Sequence, residues 1–330
     1  MRAASSTSAR AWSEQLRDAV AALRARFKPT PIVPLADPEL ELHAKLEFHN
    51  PTGSLKDRSA FWILDKAAQR GELQPTTHLI ESSSGNFARS MAVFAKALGL
   101  RFIPVIDSLI TADYEACLRL HCERIVKVTR GDDVQAFLGA RIAAAQQLRD
   151  ELPDAFWTNQ YNNPDAAEGH YTWTAGEIVE QLAHVDYVFV GVGTAGTIAG
   201  VSHRVKERWP DVRVIAVDTE GSVTFGGAPG RRRIPGLGAS VVPGLRDRAR
   251  IDEVVIVPES AAAAACVELR DRHGIFAGGS TGSVFAAIRR YFGARSHAHK
   301  PRVLFVCADS GEAYRDTVFD PTWAASLGTA

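Results

Sequence analysis

Asn50-Pro51-Thr52-Gly53-Ser54-Leu55-Lys56-Asp57-Arg58 reads as a turn that delivers one lysine to the mouth of a helix. Beyond it Ala60, Phe61, Ile63, Leu64, Ala67 and Ala68 fall on one apolar face, and Gly71 follows as a stop. A lysine at a helix N-terminus meets the positive end of the helix dipole. Held partly out of water, such an amine has a lowered pKa and is a better nucleophile toward carbonyl carbon. The competing reading is a solvated lysine that merely begins a helix, and only partners elsewhere in the chain decide between the two.

Composition narrows the classes. With 330 residues, 46% of them hydrophobic, the chain can bury one large core or two moderate ones. Its 38 basic and 38 acidic residues leave no global field for nucleic acid or an anionic membrane. Cys117, Cys122, Cys266 and Cys307 show no C-x-x-C spacing and sit in apolar runs, as small buried hydrophobes of a reducing compartment do. No metal site is expected. No apolar run approaches the ~20 residues of a membrane span, and Met1–Arg10 lacks the apolar core of a secretory signal. A soluble cytoplasmic protein is expected, with a frayed N-terminus before a helix around Ala11–Arg26.

From Leu42–Phe48 onward, strand-like and helix-like segments alternate. Strands are expected at His78–Glu81, Arg101–Ile106, Arg124–Thr129, Phe156–Gln160, Asp186–Val192, Val212–Val217, Val254–Val257 and Arg302–Ala308. Helices are expected from Ser84 through Leu98 and at Ala112–Leu120, Asp133–Leu152, Ala175–Leu182, Gly196–Trp209, Ala261–His273 and Ser283–Phe292. Runs such as Tyr187-Val188-Phe189-Val190 and Val303-Leu304-Phe305-Val306 are apolar throughout, as strands covered on both faces must be. This alternation argues a doubly wound parallel α/β architecture, whose ligands sit beyond the C-terminal strand ends.

Three glycine- and hydroxyl-rich clusters interrupt the pattern. Gly191-Val192-Gly193-Thr194-Ala195-Gly196-Thr197 joins an apolar strand to a helix, where backbone N–H groups and two hydroxyls can cradle an anion. It overlaps the dinucleotide fingerprint G-x-G-x-x-G, with Asp218 and Glu220 available for a ribose. That fingerprint lies more than halfway along the chain, so a compact phosphate cup is the better reading. Ser82-Ser83-Ser84-Gly85-Asn86-Phe87 suits a carboxylate, or else is an ordinary capping run. Gly278-Gly279-Ser280-Thr281-Gly282-Ser283 lies between two helices, where it could be only a turn and cap.

Together these segments resemble the fold-type II pyridoxal-phosphate enzymes, the tryptophan synthase β and cysteine synthase family. The resemblance runs from Thr30-Pro31 to the last strand, in the family's motif order. It implies the tryptophan synthase β-like α/β fold. A large lobe of residues 1–50 and 161–330 would bind the cofactor phosphate, and a smaller mobile lobe of 51–160 would bind the substrate carboxylate. Lys56 would hold the cofactor aldehyde as a Schiff base, and Gly193, Thr194, Ala195, Gly196 and Thr197 its phosphate. Asn86 would meet the phenolic oxygen and Ser280 the pyridine nitrogen, with Asp309 ranked below it for that role. Ser83, Ser84, Gly85, Asn86 and Phe87 would grip the α-carboxylate with help from Gln160. A neutral Ser280 favours prompt β-elimination over transamination.

Trp157–Tyr161, Asp218–Phe225, Ile234–Ser240 and Gly274–Ser283 look most like one branch, the N-(2-amino-2-carboxyethyl)-L-glutamate synthases of 2,3-diaminopropionate and siderophore biosynthesis. That resemblance implies β-replacement on O-phospho-L-serine through an aminoacrylate, with the amine of L-glutamate adding. It also implies a homodimer and, as pathway partner, an NAD-dependent dehydrogenase that releases 2,3-diaminopropionate. The cup Gly193–Thr197 is nearer the cysteine synthase form, which keeps sulfide open as the nucleophile and O-acetylserine as the donor. A nucleotide-binding protein without covalent chemistry is the rival from another class. Arg231-Arg232-Arg233 speaks to the leaving group, since guanidinium forks suit a phosphate, and Arg233 is the residue put forward; a solvated basic loop is the alternative. Arg141, Tyr161 and His170 are candidates for an acidic second substrate, against a surface ion pair for Arg141 and a structural role for His170.

Overall fold

The computed structural model describes residues 2–129, 134–293, 295 and 299–328, with the backbone alone at 2–10 and 134–136. Two sheets organise it. The larger has the order β1 (Ile32–Leu35), β2 (Glu41–Leu46), β10 (Arg302–Cys307), β7 (Tyr187–Gly191), β8 (Arg213–Thr219), β9 (Glu253–Val257). Only the β1–β2 pair is antiparallel. The smaller sheet, β5 (Val126–Val128), β4 (Arg101–Asp107), β3 (His78–Ser82), β6 (Ala155–Trp157), is parallel throughout.

The apolar runs do what covered strands require. Val188, Val190, Leu304 and Val306 point into one core cluster, while Phe189, Val303, Phe305 and Cys307 point into another on the opposite face. Period-two alternation splits each strand between the two faces. The first face is covered by α8 (Gly196–Arg208), with α2 (Lys56–Gln69) in the same core cluster, and the second by α9 (Glu259–His273) and α10 (Gly279–Gly293). Helix α3 (Asn86–Ala97) packs on β3 and β4 of the smaller sheet.

A buried ionic cluster ties these layers near the lysine turn. Arg58, fully buried, donates from Nε to Glu47 at 2.6 Å and from Nη1 to Glu177 at 2.6 Å. Lys45 Nζ donates to Glu177 and to the Thr30 carbonyl, each at 2.7 Å. Burial alone would raise the Glu47 carboxyl, yet Arg58 and Lys45 hold it down at about 2.

Several boundaries differ from expectation, each for a local reason. The Ala-rich N-terminus is helical from Arg2 to Arg24 (α1) rather than frayed to residue 10; Met1 lies outside the described residues. β2 stops at Leu46 because Glu47–His49 tightens into a 3-10 turn that buries Glu47. β6 ends at Trp157, since Asn159 takes a positive φ of 47° and carries Gln160 out of the ladder. α10 begins at Gly279, four residues before the expected start. Its glycines are not turn residues: a Cβ on Gly282 would come within 2.3 Å of the Ala262 carbonyl and the Cys266 sulfur of α9. Gly282 allows the two helices to touch.

Helix α5 is described from Val134 to Glu151, so the expected start at Asp133 lies outside the described residues. α4 (Ala112–His121) and α7 (Ala175–Gln181) occupy their expected places, whereas α6 (Pro164–Gly169), a π-helical turn at His170–Thr174 and α11 (Pro321–Ala325) had no expectation. Among the described residues no helix is long and apolar enough to cross a membrane. No group of three metal-ligating side chains occurs among them either.

Candidate active site

Lys56 is the first residue of α2, and the turn before it is over-determined. Gly53 takes φ +92°, which a side chain would strain. Asp57, fully buried, accepts bonds from the Thr52 N–H at 2.5 Å, the Thr52 hydroxyl, and the Ser90 hydroxyl at 2.6 Å. The Leu55 N–H donates to the Ala308 carbonyl at 2.8 Å, pinning the turn to the end of β10. The lysine side chain therefore enters the cavity from a fixed base. Its Nζ has Thr194 Oγ1 as neighbour at 3.5 Å, and burial pulls the ammonium down to about 8 against the opposing charge of Asp309. A half-buried lysine with a lowered pKa and no ion pair among the described residues is an amine kept available.

The cup after β7 faces it. Ala195 is left-handed (φ 64°) and precedes α8, so the first turn of the helix presents N–H groups without intrahelical acceptors. Gly193 lies against the loop at Gly236, where a Cβ would come 3.0 Å from the carbonyl oxygen. Thr197 is braced by His170 Nε2 at 3.2 Å, and the same nitrogen meets Ser59 Oγ at 3.0 Å while Nδ1 meets Thr174 Oγ1 at 2.9 Å. Burial drives this imidazole down to about 3. His170 is thus a satisfied neutral histidine that fixes a cup hydroxyl, a role for which the sequence offered no partner.

Ser280 stands in the first turn of α10 and lines the same cavity with Lys56, Asn86, Gly193, Thr194, Ala195, Thr197, Gly236 and Asp309. Asn86 Nδ2 donates to Asp309 Oδ2 at 2.7 Å, and Asn86 Oδ1 accepts from the Tyr114 hydroxyl. Tyr314 donates to the same Asp309 oxygen at 2.9 Å, whereas Asp309 Oδ1 is buried without a partner among the described residues. Burial raises the Asp309 carboxyl.

The expected carboxylate loop follows β3. Ser84 Oγ accepts the Asp107 N–H at 3.1 Å and the Arg141 guanidinium at 2.8 Å, and Ser83 Oγ lies 3.5 Å from the Gly85 nitrogen. Phe87 turns its ring into the core, so only its backbone can face a ligand. Arg141 is not a surface pair. Its Nη1 lies 3.0 Å from Asp107, and its Nε is buried without a partner among the described residues. Gln160 is buried at the end of β6, and the neighbouring Tyr161 hydroxyl is pushed up by burial, with Arg141 and Arg232 charges opposing.

Arg233 is a correction. Its Nη1 donates to the hydroxyl of Ser326 at 2.8 Å and its guanidinium stacks 4.6 Å from the Trp323 ring, so it is committed to the C-terminal segment. Arg232 instead donates to the Gly221 carbonyl at 2.5 Å and to Ser240 Oγ at 2.8 Å. Arg231 is exposed.

This donor set suits pyridoxal phosphate. A helix start and a threonine match a phosphate, an unpaired amine matches an aldehyde, and a serine and an asparagine remain for the ring. Residues 23–309 match the family model described as pyridoxal-phosphate dependent enzyme. The chain is 44% identical over 291 residues to N-(2-amino-2-carboxyethyl)-L-glutamate synthase of Cupriavidus metallidurans, covering 88% of this chain and 85% of that protein. It is 42% identical to the protein of the same name from Ralstonia nicotianae, over 91% and 90%. Among solved structures, the O-acetylserine dependent cystathionine β-synthase of Helicobacter pylori superposes with TM-score 0.81 at 26% identity, covering 89% of this chain and 97% of that one. O-ureido-L-serine synthase superposes with TM-score 0.83 at 29% identity, covering 91% and 95%.

Proposed function

This chain belongs to the pyridoxal-phosphate dependent enzymes of fold type II, and on that premise we propose that it joins the amine of L-glutamate to the β-carbon of O-phospho-L-serine. The product would be N-(2-amino-2-carboxyethyl)-L-glutamate, a precursor of 2,3-diaminopropionate. The observation that carries the choice of an acidic nucleophile is Arg141: a guanidinium with an unpartnered Nε stands at the Ser84 hydroxyl of the carboxylate loop. The two relatives named for this product support the same choice.

When bound, pyridoxal phosphate supplies the electron sink that lets an amino acid lose its α-proton and its β-substituent. In this reading Lys56 Nζ would hold the aldehyde, the N–H groups and hydroxyls of Gly193–Thr197 would hold the phosphate, and Asn86 and Ser280 would meet the phenolic oxygen and the ring nitrogen. Ser83–Phe87 and Gln160 orient the substrate carboxylate. As a free amine Lys56 Nζ would be the base that takes the α-proton, and a pKa of about 8 suits it to that role near neutral pH. Arg141 and Tyr161 orient the dicarboxylate so that its amine approaches the β-carbon. Arg233, engaged at Ser326, is left out of the phosphate role. A homodimer in the cytoplasm, with a dehydrogenase consuming the product, completes the proposal.

The test compares donors. Holoenzyme is given O-phospho-L-serine or O-acetyl-L-serine with saturating L-glutamate, and release of phosphate or acetate is followed. A kcat/KM at least about tenfold higher for the phosphorylated donor agrees with the proposal; preference for the acetyl ester rejects that donor.

A further inference from the structure

The carboxyl of Glu81 is the polar group that the chemistry above does not use and the site cannot ignore. It is 1% exposed, next to last in β3 and two residues before the Ser83–Phe87 loop assigned to the substrate carboxylate. Its Oε1 accepts the Ser82 N–H at 2.8 Å. Its Oε2 accepts the Thr158 hydroxyl at 2.6 Å and the Gln160 N–H at 3.1 Å. One side chain therefore joins the two strand ends that carry the Ser83–Phe87 loop and Gln160. The β3–β6 ladder stops at Ile80 paired with Trp157, with Thr158 N–H to the Ile80 carbonyl at 3.1 Å as the next backbone bond across, while β3 itself stays paired with β4 through Ser82. Asn159, at φ 47°, needs such an anchor to keep its turn in one conformation.

We infer that Glu81 is a positioning residue for substrate binding: its carboxyl sets the separation of the two segments that grip the α-carboxylate of the amino-acid donor. This rests on the assignment of those segments to the carboxylate. The hydrogen bonds show how the clamp tolerates burial without a cation. The Thr158 hydroxyl lies 2.6 Å from Glu81 and 3.3 Å from the Ile80 carbonyl, but has one proton to give. With Glu81 ionised, that proton goes to the carboxylate. With Glu81 protonated at Oε2, the acid donates to Thr158, which donates to Ile80. Both backbone N–H groups keep an acceptor in either state. A glutamine cannot do this, since its amide NH2 must face either the Ser82 N–H or the Gln160 N–H, leaving one donor opposed by another. Burial raises the Glu81 carboxyl to about 7, in line with a clamp that works in both forms.

The test uses holoenzyme and L-alanine, which carries the carboxylate but no leaving group, with its dissociation constant read from the cofactor absorbance. Glu81→Gln should weaken L-alanine roughly tenfold, as expected for one buried hydrogen bond lost from the clamp. In turnover it should raise the donor KM by a larger factor than it lowers kcat, without moving the KM for L-glutamate. Thr158→Val, which removes a donor to the same oxygen, should shift L-alanine in the same direction and serves if Glu81→Gln does not accumulate. Gln160→Ala separates the two layers of the argument. If Gln160→Ala leaves L-alanine affinity unchanged, the carboxylate assignment itself is wrong. If Gln160→Ala weakens L-alanine but Glu81→Gln and Thr158→Val do not, the assignment stands and the clamp is rejected. The effect of Glu81→Gln should also shrink in a Gln160→Ala background, since the side chain that Glu81 positions through the Gln160 N–H is then gone; full additivity contradicts the inference.

Discussion

Replacing Arg58 by methionine removes the cation around which the base of the active-site helix is built. The side chain gives Glu47 two bonds, from Nε at 2.6 Å and Nη2 at 3.0 Å, and Glu177 two more, from Nη1 at 2.6 Å and Nη2 at 2.8 Å. Methionine fills much of the volume, so the loss is chiefly electrostatic. Removing one partner of a buried pair costs about 3–5 kcal/mol, because the other charge stays buried. A separate route gives a similar size: Glu47 lowered from 4.5 to about 2 corresponds to roughly 3 kcal/mol at neutral pH. In the native protein that stability is present above pH 4.5 and is lost as pH falls through about 2. In Arg58→Met, burial without the guanidinium raises the Glu47 carboxyl instead, so its penalty is present above the unfolded value and relieved on acidification. Urea denaturation at pH 7 and pH 4 measures both. The variant should lose about 3 kcal/mol at pH 7 and visibly less at pH 4. A loss below about 1 kcal/mol, or a gap that widens in acid, would refute the cluster as the anchor of this helix.

Three further outcomes follow from the site. Borohydride reduction of holoenzyme should fix the cofactor on the Lys56 peptide by mass, and Lys56→Ala should carry no such adduct; a label on another lysine contradicts the assignment. Gly193→Ala presses a methyl group toward the Gly236 carbonyl, and should weaken cofactor affinity by about tenfold, or ~1.4 kcal/mol, in a titration of apoenzyme while leaving the fold intact. Arg141→Gln should raise the KM for L-glutamate by at least about tenfold with a smaller effect on formation of the donor complex; equal effects on both would assign Arg141 to the donor carboxylate or to the loop alone.

The parts of the site legible in the sequence are those whose chemistry is local. A lysine after Pro51-Thr52-Gly53 and a cup of glycine and threonine after an apolar strand announce themselves through backbone demands that few residue types meet. What stayed hidden depends on partners far along the chain. Glu47 and Arg58 close their cluster through Glu177, and His170 finds Ser59 and Thr197, across separations that carry no periodic signal. Glu81 ends the strand expected at His78–Glu81, and its donors at Thr158 and Gln160 come from the segment after β6, far along the chain. In an irregular loop three consecutive arginines have no period to assign faces. Only the fold shows Arg233 on Trp323 and Arg232 between Gly221 and Ser240. Gly279 and Gly282 were legible as unusual but not as helical, since close packing at Ile234 and against α9 calls for the same residue type as a turn would.

The central claim concerns which bond is made. Holoenzyme incubated with O-phospho-L-serine and nitrogen-15 L-glutamate, with products resolved by mass, tests it directly. The account predicts one condensation product that retains the heavy nitrogen between the two carbon skeletons, with one phosphate released for each molecule formed. Phosphate released without that adduct, or a product that forms only when sulfide replaces glutamate, would contradict it.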